Sequence, residues 1–409
     1  MNYQLKLNTL CIATLLVGVS CLNVAHAEPN QKLAPEASAP EASAAEAKLG
    51  YRELPTLSQA FIDASPEQRK DGIQVGKLGV DGGNKDMIVK LAKDIAAGQF
   101  GVYDSLLIIH QGKLLFESYY SRGRINLPHG QASATKAYTA LALGRAIQLG
   151  YLSMADLDKP IYSFLKDLEP AKFAQGVEKI TLADALTMRT GLRISKEQEE
   201  ELKKNPARLK GQGQIQAYFE VTEPVTAAGQ TFKYGDGPEF VMHVLEAVVP
   251  GTAQDFIKKE LLDKLGIVNY HWRMNEFTGL PEAGWRTKMT SRDMAKWGTL
   301  VMNKGKWQGE QLIPTAYIAA ATSPQLLTGD EDIYGGGKDV AKQGYGYFFW
   351  NSELRVGNKS YYSASAQGGG GQFIVLLEEL DLMLVVTANN NDNSTLQLVA
   401  ERVIPAFTL

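Results

Sequence analysis

The stretch GQASATKAYTALALGRAIQLGYL, residues 130–152, constrains the fold more than any other. From Ala137 onward it is apolar nearly all round, as only a buried helix is, so the chain must wrap a core around it. Yet it opens on the polar tetrad Ser-Ala-Thr-Lys, which sets Ser133 and Lys136 at the mouth of the most buried helix. A chain of 409 residues, 44% hydrophobic and 21% charged, can supply that cover with one large core or two moderate ones.

The flanking patterns say what the cover is made of. DSLLIIH-QG-KLLFESYY is two strand-like runs around Gln111-Gly112, a hairpin, preceded by an amphipathic helix in NKDMIVKLAKDIAAG. Near the other end, QFIVLLEELDLMLVVTANN gives two more β-rich runs split by Glu379 to Asp381, and STLQLVAERVIPAF a closing helix. Between the ends the patterns are helical: TLADALTMRTG, PEFVMHVLEAVV and TAQDFIKKELLDKLG. The expected fold is α/β of the α+β type, an antiparallel sheet built from both chain ends and flanked by helices, with an inserted, mostly helical region. Residues 51–140 and 291–409 form the sheet-containing part and 141–290 the helical part, with the site where they meet.

The first residues read as a secretory signal, 1–27: Lys6, the apolar run Leu10 to Val24, then Ala25-His26-Ala27 as a small-x-small cleavage pattern. The run is too short for a stable transmembrane anchor, and export to the periplasm or medium is the expectation. Lipidation at Cys21 is the lesser alternative, since Gly18 stands where such signals usually carry leucine. Both cysteines, Cys11 and Cys21, fall in this segment, so the chain after cleavage has no thiol for catalysis, metal ligation or a disulfide. Residues 28–50, with APEAS in tandem, read as a flexible Ala/Pro/Glu-rich leader. A net charge of -3 without a dense basic block gives no nucleic-acid footprint.

Residues three apart on a helix share a face, so the Lys136 amine can reach the Ser133 hydroxyl. Such a hydroxyl becomes nucleophilic only when a base takes its proton, and lysine serves as that base only if desolvation lowers its pKa. An apolar helix provides that condition. Backbone N–H groups at the helix start also face any developing oxyanion. A Ser-x-x-Lys tetrad alone reads more simply as a capping serine with a solvated lysine. GQTFKYGDGPEFVMHVLEAVV and YYSASAQGGGGQFIVLLEELDLMLVV supply, in order, a tyrosine ahead of an apolar helix and a glycine run entering a strand.

That ordered set resembles the serine β-lactamase and penicillin-binding-protein superfamily, and within it the class C β-lactamase-related branch of esterase-like and 6-aminohexanoate-dimer-hydrolase-like serine hydrolases. The resemblance covers roughly residues 85–407. It implies an acyl-enzyme on Ser133, Lys136 as proton acceptor and Tyr234 as proton relay. It further implies an oxyanion hole from the backbone N–H groups of Ser133 and Gln372, and substrate contact by Asp236 and Gly369, Gly370 and Gly371. Two departures follow. Asp236 stands where the family commonly has Asn, and it either caps the next helix in a box with Glu239 or meets Lys136. Gly369 stands where a Lys or His usually helps to bind the substrate carboxylate, which favours an ester or amide hydrolase over an efficient β-lactamase.

The implied partner is a small-molecule ester, amide or peptide substrate; oligomeric state is left open. A D-Ala-D-Ala carboxypeptidase or β-lactamase is the alternative, and an inactive scaffold binding peptidoglycan or a partner the second. No cofactor or metal is implied: His110, His129, His243 and His271 lack ligand spacing, and no Gly-x-Ser-x-Gly or His-Glu-x-x-His motif occurs. His129 reads as a turn or surface residue, YGGGKDV at 334–340 as a surface loop, and RISKEQEEELKKNPARLKGQ as a solvated helix or a lid. Tyr345, Tyr347, Phe348, Trp350, Tyr361 and Tyr362 could wall an acyl pocket or fill a sheet core.

Overall fold

The computed structural model describes residues 38–331, 333–390 and 394–408. The expected signal, the cysteines and residues 28–37 of the leader lie outside the described residues. From Ala39 the chain forms one compact unit.

Its ten-stranded sheet draws on both ends of that unit. The strands are β1 (Phe61–Asp63), β2 (Gln74–Val75), β3 (Tyr103–His110), β4 (Lys113–Tyr119), β5 (Leu326–Leu327), β6 (Val340–Tyr345), β7 (Trp350–Val356), β8 (Lys359–Gly368), β9 (Gln372–Leu377) and β10 (Leu382–Ala388). Their order is β1-β4-β3-β10-β9-β8-β7-β6-β5, antiparallel throughout, and β2 adds to β4 in parallel. The β3–β4 hairpin turns at Gln111 and Gly112, whose φ values of 49° and 72° are the left-handed pair a tight turn demands. β10 joins the two halves by pairing with β3 along Leu382↔His110 to Ala388↔Tyr103.

Alternation along the strands divides the interior into two cores. Leu107, Ile109, Ile374, Leu376, Met383 and Val385 face one side; Leu106, Ile108, Phe373, Val375, Leu384 and Val386 face the other. The second face is covered by α1 (Lys85–Ala96), capped by Asn84 accepting from the Met87 amide, and by the helical stretch Thr395–Thr408. The first packs on the larger helical region: α2 (Thr135–Gln148), α4 (Gly213–Val221), α5 (Gly237–Val248) and α6 (Ser291–Met302), while α3 (Lys196–Lys203) joins a small separate cluster through Leu202. Every residue of α2 from Thr135 to Ile147 is buried, which is why that helix carries no polar face. No helix among the described residues is long and apolar enough to cross a membrane.

The leader needs correction over its second half. Residues 39–50 are tied to the body because their backbone polar groups find partners there. Asn126 accepts from the Ala42 amide at 2.7 Å and returns a bond to its carbonyl at 3.0 Å, and Arg124 pairs with Glu46 at 3.3 Å. Only 28–37 remain outside this account.

Candidate active site

Ser133 lies not on α2 itself but on the tight turn Ala132–Ala134 that feeds it. Ala132 adopts φ 45°, a left-handed conformation that a residue with a Cβ rarely takes and that marks a turn held by its surroundings. Tyr138 donates to the Gln131 side chain at 2.9 Å, and the Gln131 amide donates to the Thr287 carbonyl at 2.9 Å. Neither the turn nor the helix has a side-chain cap, so the Ser133 hydroxyl is not spent on capping.

It meets Lys136 instead. Lys136 Nζ and Ser133 Oγ are 3.0 Å apart, and the same amine donates to the Gly284 carbonyl at 2.9 Å. Two residues fix the first turn of α2 against the same extended segment: Thr135 bonds Thr287 and Thr139 donates to the Ala283 carbonyl, each at 2.7 Å. Lys136 is 8% exposed. Burial pulls its pKa below the ordinary lysine value, while the nearby carboxyls of Glu239 and Asp236 pull the other way.

Tyr234 supplies the third group. Its ring lies 4.7 Å from Lys136 Nζ. Desolvation pushes the phenol up to about 12, opposed by the nearby Ser133 hydroxyl and reinforced by Glu239. Trp350 stacks on the ring at 5.5 Å and Tyr345 meets it edge-on at 6.1 Å. Of the six aromatic residues considered for a pocket wall, these two stand at the site. Tyr347 and Phe348 fill the first core, Tyr361 the opposite one, and Tyr362 bonds the Thr322 carbonyl.

Of the two alternatives for Asp236, the capping box does not form. Helix α5 starts beside it without a side-chain cap, its first turn made by Gly237 and Pro238. Glu239 therefore turns its carboxyl inward: a Cβ on Gly284 would lie 3.3 Å from Lys136 Nζ and 3.5 Å from Glu239 Oε1. Desolvation first, then repulsion from Asp236, raises Glu239 to about 8, and Asp236 is raised by desolvation and by Glu199. Sequence reasoning missed Glu239 because its spacing from Asp236 matched a cap.

The glycine run also differs from expectation. Gln372 opens β9 opposite Gly368, and its side chain is committed to the Ala388 backbone at 2.8 and 3.3 Å. Gly368 is the residue against the serine turn, for a Cβ there would stand 2.1 Å from the Gln131 carbonyl oxygen. Gly369 follows with open space around its Cβ position, while Gly370 and Gly371 take φ values of 90° and 97° to close the turn. Gly368, paired with Gln372 across the hairpin, is thus the residue that packs on the serine turn. Tyr334, in a segment read as mere surface loop, staples this turn: it donates to the Gly368 carbonyl at 3.2 Å and accepts from the Gly371 amide at 2.9 Å. Replacing Gly368 with alanine should cost about 1–3 kcal/mol through overpacking, read as a lower denaturant midpoint with unchanged m-value.

His129 keeps away from these groups, bonding Asp104 at 3.0 Å. Among the described residues no cluster of His, Cys, Asp and Glu has metal-ligand geometry.

The comparisons with known proteins agree with this fold. A sequence model of the beta-lactamase family matches residues 92–405. No curated protein gives a significant match. Among solved structures, a protein assigned as a 6-aminohexanoate-dimer hydrolase from Bacillus anthracis superposes with a TM-score of 0.58 at 17% identity, covering 83% of this chain and 86% of that one. EstCE1, a hydrolase with promiscuous acyltransferase activity, gives 0.58 at 14% identity, covering 79% of this chain and 98% of its own. A class C beta-lactamase gives 0.56 at 16%, with 80% and 96% covered.

Proposed function

The chain belongs to the beta-lactamase family, and from that premise we propose that it is an exported serine hydrolase cleaving an ester or amide bond through an acyl-enzyme on Ser133. The observation that carries the reading is the 3.0 Å contact between Ser133 Oγ and the buried Lys136 amine. Export rests on the N-terminal pattern alone.

Lys136, lowered by burial, serves as the base, whereas Tyr234, pushed up to about 12, stays protonated at neutral pH and acts as donor. Ser133 Oγ attacks the carbonyl carbon as its proton passes to the Lys136 amine. The oxyanion faces the Ser133 amide and the backbone at Gly369. The carbon–leaving-group bond then breaks, the departing atom takes a proton relayed through Tyr234, and water releases the acyl group by the same path in reverse. Tyr234→Phe should lower ester kcat by about 100-fold or more with little change in KM; full retention of kcat would remove the phenol from the mechanism.

The glycine at 369 places no cation for a substrate carboxylate, which supports an acyl partner without a carboxylate over a penicillin. Intact-mass measurement after incubation with a fluorophosphonate, a short-chain aryl ester and a penicillin separates the readings. Fluorophosphonate labelling and ester turnover, both lost in Ser133→Ala, support the hydrolase. A prompt penicilloyl adduct supports the cell-wall carboxypeptidase or β-lactamase reading, and no adduct with any probe the inactive scaffold.

A further inference from the structure

Tyr234 is a loop residue set beside a group that a helix holds. Residues 232–234 lie in neither helix nor strand, and the Lys233 amide ties the segment down by donating to the Met188 carbonyl at 2.9 Å. Tyr234 is 39% exposed, so packing does not enclose its ring. A side chain so placed has several rotamers open to it, yet the ring stands 4.7 Å from Lys136 Nζ.

Neighbouring rings decide where it stands. Trp350 stacks on it at 5.5 Å with 23° between the planes, and Tyr345 meets both edge-on, 6.1 Å from Tyr234 and 4.7 Å from Trp350. Phe232 closes the group, 5.7 Å from Trp350 and 5.2 Å from Tyr345, at angles of 70° and 60°. Trp350 is the common member, in contact with Tyr234, Tyr345 and Phe232 alike.

Trp350 is also anchored from both sides. It opens β7, pairing with Tyr345 of β6 on one flank and with Ser365 of β8 on the other, and Tyr345 is fully buried. A strand held between two neighbours moves little, so the indole offers a fixed face on which a loop-borne ring can settle. Stacking sets the plane of that ring as well as its position. With the plane set, the phenol oxygen keeps one direction relative to Ser133 and the Lys136 amine, as a proton relay requires.

We propose that Trp350 is the positioning residue for Tyr234: its stacked indole holds the phenol in register with Lys136 and Ser133. The sheet, and not the loop that carries the tyrosine, then sets the geometry of the relay. The proposal rests on the hydrolase reading above and adds to it a residue that acts through another.

A double-mutant cycle on ester kcat tests this. Trp350→Leu should lower kcat by about tenfold or more, as a small misplacement of a reacting group does, with KM changed by less than about twofold. Trp350→Phe, which keeps a stacking face, should recover most of the loss. In the Tyr234→Phe background no phenol remains to be aimed, and Trp350→Leu should there change kcat by less than about twofold. An equal loss in both backgrounds would make Trp350 a packing residue, and a raised KM with unchanged kcat would make it a wall of the substrate groove. Either result overturns the proposal, as does full activity in Trp350→Leu or a Trp350→Phe as poor as Trp350→Leu. Should Trp350→Leu fail to fold, Trp350→Met takes its place in the cycle.

A crystal structure of the folded variant gives a readout independent of turnover. The Tyr234 ring displaced from the Lys136 amine is the expected result, and an unmoved ring overturns the proposal. Wild-type protein that turns over no ester, or turnover that persists in Ser133→Ala, counts against the hydrolase reading instead, and the crystal structure then decides the positioning role alone.

Discussion

Ser133→Ala is expected to abolish ester turnover, lowering kcat by about 1,000-fold or more, as removal of a serine nucleophile does, while leaving the melting temperature nearly unchanged. The stability expectation follows from the structure: the hydroxyl caps no helix, and its bond is to Lys136. Residual turnover in the variant measures what the backbone donors and binding achieve alone. If kcat survives within tenfold, the nucleophile lies elsewhere.

Lys136→Ala carries the second large effect. Loss of a positioned base costs about 100- to 10,000-fold, and the acid limb of the kcat/KM profile should disappear with it. In the wild type the sign follows from the charge state. Below its folded pKa the amine is an ammonium and cannot accept the Ser133 proton, so activity rises with pH through that value, which burial places under the ordinary lysine range. Glu239→Gln should move the limb to lower pH, because the carboxylate it removes favours the ammonium. The same variant has a stability signature. Glu239 is raised to about 8 in the folded protein, so the wild type loses stability as pH climbs from the ordinary carboxylate range through that value. Glu239→Gln should therefore melt higher than wild type at pH 9 by a margin that shrinks towards pH 5. An unmoved limb and a pH-independent difference would show that Glu239 does not face the amine.

Much of this was legible in the sequence for physical reasons. The all-apolar α2 had to be central, the Gln111-Gly112 hairpin follows from turn chemistry, and three-residue spacing brings Ser133 and Lys136 onto one face. Tyr234 joins them from about a hundred residues away, and only the order of motifs pointed to that. What escaped were features that depend on which way a side chain turns. Asp236 and Glu239 have the spacing of a cap, but Gly237 and Pro238 start the helix without one and leave the Glu239 carboxyl free to turn towards Lys136. Gln372 and Gly368 are hairpin partners, and the contact of Gly368 with the Gln131 carbonyl, a tertiary matter, decides which end faces the serine. A cavity of about 370 Å³ draws on α3, α4 and the segment 275–286, so no local pattern could reveal it. The charged run RISKEQEEELKKNPARLKGQ, whose pattern suggests a solvated helix or a lid, lines the cavity bounded by Glu276, Glu282 and Trp285 through Glu199 and Lys203.

The most direct measurement is the pH dependence of fluorophosphonate labelling at Ser133, followed by intact mass and peptide mapping. A labelling rate that climbs with pH through a midpoint well under that of a solvated lysine, and that shifts further down in Glu239→Gln, is the predicted result. A rate flat with pH, a midpoint at the solvated-lysine value, or label on a residue other than Ser133 would contradict a buried amine activating this serine.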